Sequence, residues 1–248
     1  MADKPSVRWY YSGQVIPRLP LISLDIPRAA ISSSFGFSYE IEGRIQNSLI
    51  TATVALFERA EPLDLRNSVT SVIQGPVDLA GLVTGAGLDV HLETARAESG
   101  EWQVFDGYIP ALKVEGTVEL PMPLVVSALS DVQAQIMLAD FRQAMRFPVQ
   151  TGFFCYRVAD AAMQAFKSSE SMSDHDAWVR MRAALRVERS AIDRMKPHAD
   201  WARHGKPGVI TDPERLMLFR TAKAIIERYL EYLSSGRHAL GETVPSIA

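Results

Sequence analysis

Apolar and polar residues alternate along the first part of the chain, as they do in strands that bury one face. The alternation is clear in Ser33–Gly43, and Leu49–Phe57 is rich in the β-branched residues that strands favour. Arg8–Gly13 begins with aromatic residues and ends in a turn signal, which predicts another strand. Residues 42–48 are expected to hold a turn or a short strand. We therefore predict that residues 8–60 are mainly strands.

The hydrophobic period then changes from that of a strand to that of a helix. Apolar residues recur at helical spacing through Leu63–Val83, and Pro76 within this stretch is expected to bend or split the helix. The glycines in 81–87 follow this helix and precede a strand-like run at 88–93, so they suit a helix C-cap and turn better than a phosphate-binding loop. Another short strand is predicted within 100–107.

These elements predict an α+β class, with an N-terminal antiparallel β domain that contains one long helix. The steps between strands are too short for repeated crossover helices, which argues against a doubly wound parallel sheet. We place this domain at residues 1–125 and assign it no ligand.

From residue 126 to 248 the pattern is helical, and we predict an all-α bundle there. Helices are expected at Asp131–Arg146 and Phe153–Lys167. A third is expected to begin after a cap at Ser173 or Asp174 and to carry apolar positions as far as Ile192.

The last predicted helix has a strong start signal. Thr211 is a candidate N-cap, Glu214 lies three residues later as in a capping box, and Pro213 is tolerated in the first turn. This helix is expected to end at Gly236, and the tail beyond it is expected to be loose.

Composition narrows the classes of function only slightly. The chain has 248 residues, 47% of them hydrophobic, and a formal net charge of −3, which gives no global attraction to nucleic acid or to an anionic membrane. The charge is uneven, since residues 1–149 carry 11 Lys+Arg and 17 Asp+Glu, whereas residues 150–248 carry 15 and 12. The C-terminal half is therefore mildly basic. The alternating signs along its helices are typical of a solvated helix face.

No metal, cofactor or membrane signal emerges from the residue pattern. The single cysteine, Cys155, lies in an apolar run and is expected to be a buried small hydrophobe. The N-terminus lacks the apolar core of a signal peptide, and the apolar runs are too short to span a bilayer, so we expect a cytoplasmic location. The cluster Asp174–Asp176, with a histidine between two aspartates, opens a helix, where acidic residues favour the helix dipole.

The best candidate site is the segment 198–208, HADWARHGKPG, between the last two predicted helices. Metal-free RNA cleavage needs a base for the 2′-hydroxyl proton and a cation for the charge that develops on the phosphate, roles that histidine and arginine can fill. His198, Arg203 and His204 are therefore the candidate catalytic residues. The two histidines are six positions apart and would not share one helix face, so a partner would have to come from a helix end or from another subunit.

Two other interpretations of this segment remain open. Arg203, His204, Lys206 and Trp201 could bind RNA or another anionic ligand without cutting it, with the indole stacking on a base. Alternatively, the cations only oppose the negative end of a helix dipole, Gly205 ends the helix, and Trp201 packs inside the bundle.

The segment Ala202–Gly205, followed by a short loop and a long final helix, resembles the HEPN helical bundles over roughly residues 130–236. The resemblance implies a four- to five-helix bundle that binds RNA or nucleotide and often dimerises, in bacterial toxin–antitoxin or antiphage systems. Many HEPN proteins cut RNA without a metal, using an Arg that is followed by a His after four to six residues. His204 lies where the family's histidine would be, whereas the arginine position, 197–199, holds Pro197, His198 and Ala199.

Two functional hypotheses follow. The first is a cytoplasmic bacterial binding or sensing protein without catalysis, whose HEPN-like domain binds RNA or nucleotide and forms a homodimer. The second is a metal-independent endoribonuclease of a stress or phage-defence system. No cofactor is expected in either case.

Overall fold

The computed structural model describes residues 7–105, 112, 120–205 and 208–248. The chain divides into two compact units, residues 1–108 and 109–248. Each unit has its own hydrophobic core.

The N-terminal unit is one antiparallel six-stranded sheet with a single helix, which confirms the predicted α+β class. In chain order the strands and the helix are β1 Val7–Ile16, β2 Leu24–Ser32, β3 Ser38–Gln46, β4 Leu49–Leu56, α1 Pro62–Thr84, β5 Asp89–Ala97 and β6 Trp102–Val104. The spatial order is β2-β3-β4-β1-β5-β6. Leu65, Val69 and Ile73 of α1 are fully buried in the same core as the inward-facing residues of the sheet. One face of the sheet is therefore covered by α1.

Several local predictions for this unit need correction. The first strand continues through Gly13 to Ile16, because Gly13 lies against β5 at a point where a Cβ would be 2.2 Å from the His91 carbonyl oxygen. Residues 24–32 lie within the stretch predicted to be mainly strands, but no separate strand was placed there, where the structure has β2. Pro76 lies inside an α1 that is not split. The helix ends as expected, with Gly85 in the left-handed conformation.

The C-terminal unit is helical. Its helices are α2 Met122–Ser130, α3 Val132–Arg146, α4 Thr151–Ala165, α5 Asp174–Leu185, α6 Arg189–Arg203 and α7 Asp212–Ser234, with a 3₁₀ turn at Pro148–Gln150. Cys155 is fully buried in the core of this unit, as predicted, and burial raises the pKa of its thiol. Within the described part of the chain, no single helix is long and apolar enough to cross a membrane, and α2 and α3 pass that test only together, with a bend of 98° between them.

Two predicted caps are present in this unit. The Ser173 hydroxyl accepts a hydrogen bond from the Asp176 backbone N–H at 3.1 Å, at the start of α5. Before α7, the Glu214 carboxylate accepts from the Thr211 backbone N–H at 2.8 Å. Burial alone would raise the pKa of the Glu214 carboxyl, but the hydrogen bonds from Thr211 help to lower it below its usual value.

Three predictions for this unit were wrong. The short apolar helix α2 was missed, and the helix predicted from 174 through Ile192 is two helices. The break occurs because Arg186 adopts the left-handed conformation (φ 53°) at the end of α5. The tail is not loose, since the Ile247 N–H donates to the Arg186 carbonyl (3.0 Å) and the Glu188 N–H donates to the Ile247 carbonyl (2.9 Å). The tail thus pairs with the segment that separates α5 from α6.

Candidate functional site

The predicted segment does lie at a junction between two helices, the end of α6 and the start of α7. Helix α6 ends at Arg203, His204 is its C-cap, and Gly205 has a positive φ of 62°. Lys206 lies outside the described residues. His204 is exposed at this helix end, as the helix-end interpretation expects.

His198 and Trp201 pack inside the junction. Their rings meet edge to face with centroids 5.6 Å apart. The backbone of Gly208 lies against the indole, since a Cβ there would be 2.2 Å from the Trp201 ring. Gly152 of α4 lies against His198, where an added Cβ would be 2.6 Å from the His198 Cβ. The Nδ1 atom of His198 is buried and has no hydrogen-bond partner among the described residues. Both side chains therefore contribute to packing between helices.

The Arg203 side chain is directed toward α4. Its guanidinium lies 3.7 Å from the Asp160 carboxylate and 5.8 Å from the ring centroid of Tyr156, both on α4. On a helix, His198 and Arg203 are about 140° apart around the axis. The candidate catalytic residues His198, Arg203 and His204 therefore do not converge on one point within a single chain.

A pocket of about 200 Å³ lies beside the Arg203–Tyr156 contact. Its aromatic wall is formed by Tyr156 and Trp178, whose ring centroids are 6.4 Å apart. Of the six other described residues in the lining, three are Arg or Lys; the described lining is Tyr156, His175, Trp178, Arg182, Arg189, Ile192, Asp193 and Lys196. We call this the α4–α6 pocket.

Sequence reasoning missed the α4–α6 pocket, although one signal for it was present. Arg189, Lys196 and Arg203 are spaced seven residues apart on α6. Seven residues are nearly two full helical turns, so the three cations form one stripe along the helix. The aromatic residues come from α4 and α5, and nothing in the sequence indicates that they lie beside that stripe.

Acidic side chains partly neutralise the stripe. Asp193 accepts a hydrogen bond from Arg189 at 3.2 Å, and Asp160 lies beside Arg203. No acidic side chain in the described ranges lies within ion-pair distance of Lys196. Arg182 donates through Nε to the Trp178 carbonyl at 3.3 Å, which holds it at the edge of the pocket.

Asp160 has an unusual proton affinity. Burial raises the pKa of its carboxyl to about 6, against the opposing effects of Arg203 and Arg157, while Asp174 adds to the rise. The charge on Asp160, and with it the hold on Arg203, therefore changes near neutral pH.

No metal centre is present among the described side chains, which contain no group of three or more His, Cys, Asp or Glu suited to hold an ion. Asp174 instead forms an ion pair with Lys167 at 2.6 Å, and Asp176 lies in the first turn of α5.

Comparisons with known proteins agree with the two-part architecture. The models for the two domains of a domain of unknown function, DUF8168, match this chain: the N-terminal domain over residues 9–105 and the C-terminal domain over residues 122–234. The chain is similar to DUF8168 in both of its halves. No curated protein and no solved structure matches it. The matched ranges contain the sheet of the N-terminal unit from Trp9 onward. They also contain the aromatic and basic residues of the α4–α6 pocket and the stripe, namely Tyr156, His175, Trp178, Arg182, Arg189, Lys196 and Arg203.

Proposed function

We propose that the C-terminal helical unit binds RNA as a non-catalytic, HEPN-like module, with the α4–α6 pocket as the contact. The observation that carries this proposal is the stripe of Arg189, Lys196 and Arg203 beside the rings of Tyr156 and Trp178. Proteins that bind single-stranded nucleic acid combine cations that follow the phosphates with aromatic rings on which bases stack.

The size and charge of the pocket support this ligand. A volume of about 200 Å³ gives room for one base or one sugar-phosphate unit rather than for a larger ligand. The half of the chain that contains it has more basic than acidic residues. The ion pairs of Arg189 and Arg203 are partly exposed to solvent and hence weak, so a phosphate can compete with their carboxylates.

Fluorescence anisotropy with a labelled single-stranded RNA tests this proposal. Arg189→Ala and Lys196→Ala are each expected to weaken binding by about fivefold or more and to lower the salt dependence of log K by about one counterion. Arg220→Ala is the matched control, because Arg220 is an exposed cation on α7 outside the pocket; it is expected to change affinity by less than about twofold.

Unlabelled mononucleotide in the same assay distinguishes a free nucleotide from an RNA chain as the ligand. Competition by AMP at concentrations comparable to those of the RNA would indicate a nucleotide site. RNA binding that is unchanged in both pocket variants would refute the assignment to this pocket.

Metal-independent RNA cleavage is the alternative function. The observation in its favour is that His204 is exposed next to Arg203, where a second subunit could supply the missing partner. Incubation of RNA with the protein in EDTA tests it, and cleavage that is lost in His204→Ala would replace the binding proposal by the enzymatic one.

A homodimer is part of the same proposal. Apolar side chains at positions 122, 126 and 129 of α2 share one helix face and are more than half exposed, namely Met122 (69%), Val126 (53%) and Leu129 (71%). Contact between two copies would cover this face. Light scattering should then give the mass of a dimer for the wild type and of a monomer for Leu129→Glu; a monomeric wild type would contradict this part.

A further inference from the structure

The face of the N-terminal sheet opposite α1 carries two rows of side chains that run across the strands. Cross-strand pairing places the first row in register, in the order Glu42, Thr53, Tyr10, Arg96 and Trp102, from β3 to β6. The second row, in the order Asp25, Arg44, Thr51, Ser12 and Thr94, runs from β2 to β5.

Short side chains lie near the centre of this face, although Tyr10 stands among them in the first row. Thr51, Thr53, Ser12 and Thr94 are short and bear hydroxyls, and the Ser12 and Thr94 hydroxyl oxygens are 2.6 Å apart. Longer side chains flank them on β3 and on β5–β6. The result is a groove of about 830 Å³ with a hydroxyl floor, lined by both rows. Such a volume is in the range of small-molecule sites, roughly 300–1,000 Å³.

Arg96 is held flat at one end of this sheet groove. Its guanidinium lies 5.6 Å from the Tyr10 ring centroid and 5.8 Å from that of Trp102, and the Trp102 side chain is largely exposed (61%). In the described part of the chain no carboxylate lies within ion-pair distance of Arg96. A guanidinium oriented by two rings keeps its N–H groups available for a planar or tetrahedral anion.

The opposite end of the sheet groove carries two carboxylates, those of Glu42 and Asp25, and two guanidinium groups, those of Arg28 and Arg44. Glu42 lies three strands away from Arg96 in the first row, about 14 Å at the usual strand spacing. Asp25 lies at the same end in the second row. A short ligand with an anionic end at Arg96 and an N–H-bearing end at Glu42 would meet complementary groups at both ends.

We propose that this sheet groove is a second, separate binding site, which takes a nucleoside monophosphate. Its phosphate binds Arg96, its base lies along Tyr10 and the hydroxyl floor, and an N–H of the base donates to Glu42. The ligand is thus a free mononucleotide, in contrast to the RNA chain assigned to the α4–α6 pocket. The site does not depend on RNA binding by the helical unit.

Calorimetric titration of the full chain with AMP, CMP, GMP and UMP, each tested separately, examines this site. At least one monophosphate is expected to bind, and both adenosine and inorganic phosphate are expected to bind at least about tenfold more weakly, because each lacks one of the two recognised parts. Arg96→Ala and Trp102→Ala should weaken binding by about tenfold. Arg59→Ala is the matched control, since Arg59 is exposed in the same unit and does not line the groove.

Two further variants test whether the planar guanidinium of Arg96 is required and whether this site is separate from the α4–α6 pocket. Arg96→Lys retains the charge and the fold but loses the planar group, so it should also weaken binding. Lys196→Ala alters only the α4–α6 pocket and should leave monophosphate binding unchanged, which separates this inference from the RNA proposal. The inference is overturned if no monophosphate binds, if Arg96→Ala binds as the wild type does, or if inorganic phosphate binds as tightly as the nucleotide.

Discussion

Replacing Asp160 by asparagine tests whether the carboxylate beside Arg203 lowers the stability of the protein when it is charged. The native carboxyl has a pKa of about 6 and its ordinary value is 3.8. The native state therefore binds the proton more tightly than the unfolded state, and the free energy of unfolding falls as the pH rises from about 4 to above 6. The full difference corresponds to roughly 3 kcal/mol. Because a third of the side chain is exposed (34%), we halve it to about 1.5 kcal/mol.

The amide that Asp160→Asn introduces cannot ionise, so this variant should lack the fall. The pKa of about 6 already includes the opposing effect of Arg203, so the variant should be about 1.5 kcal/mol more stable than the wild type at pH 7.5. At pH 4 the advantage should vanish. Urea unfolding followed by far-UV circular dichroism at both pH values measures the difference.

Asp193→Asn is the matched control for this experiment. Asp193 is also an aspartate paired with an arginine beside the pocket, but it is more exposed (58%). Its replacement should change the free energy of unfolding by less than about 0.5 kcal/mol at either pH. Parallel pH profiles for the wild type and Asp160→Asn would refute the argument that burial raises the pKa of this carboxyl.

Three further outcomes follow from other contacts. Asp160→Asn should also tighten RNA binding at pH 7.5 by about threefold, because Arg203 loses a competing carboxylate; unchanged or weaker binding in the anisotropy assay would contradict this. Gly152→Ala places a methyl group 2.6 Å from atoms of His198 on α6, so it should lower the free energy of unfolding by about 1–3 kcal/mol, as measured by urea titration. Gly87→Ala is the control, because a methyl group there meets nothing within 4 Å and should leave the free energy of unfolding nearly unchanged. Arg228→Ala removes hydrogen-bond donors to the Leu185 carbonyl (3.0 Å) and to the Pro245 carbonyl in the tail. It should lower the free energy of unfolding by about 1–3 kcal/mol in the same titrations. A loss no larger than that of the exposed control Arg220→Ala would show that these hydrogen bonds to the tail do not stabilise the protein.

The elements that the sequence predicts correctly are those whose signals are local. The capping box at Thr211 and the glycine C-cap at Gly85 each depend on residues within one turn of the helix end. The β-branched residues of Leu49–Phe57 mark β4, in which every second residue is buried.

The elements that were missed depend on contacts between distant residues. In β2, Pro27 interrupts the alternation, and the strand is kept in the sheet by a bulge between Ile26 and Ala29 in its pairing with β3. The break between α5 and α6 requires a left-handed Arg186, a conformation that an arginine rarely adopts without support. That support comes from the Ile247 N–H, which donates to the Arg186 carbonyl from about 60 residues later in the chain. The residues near position 186 therefore contain no pattern that predicts it.

The α4–α6 pocket shows the same division between local and distant information. The alternating charges of α6 predict a solvated face, and the structure agrees in part, since Arg189 pairs with Asp193 on the helix surface. Alternating charges on a solvated helix face do not predict that aromatic rings lie beside that face. Arg203 lies over Tyr156, and Lys196 lines the same pocket as Trp178. The rings come from α4 and α5 and the charges come mainly from α6, so the pocket forms only when the three helices pack together. The seven-residue spacing of cations on α6 therefore indicates a binding site only in combination with the aromatic residues that packing brings beside it.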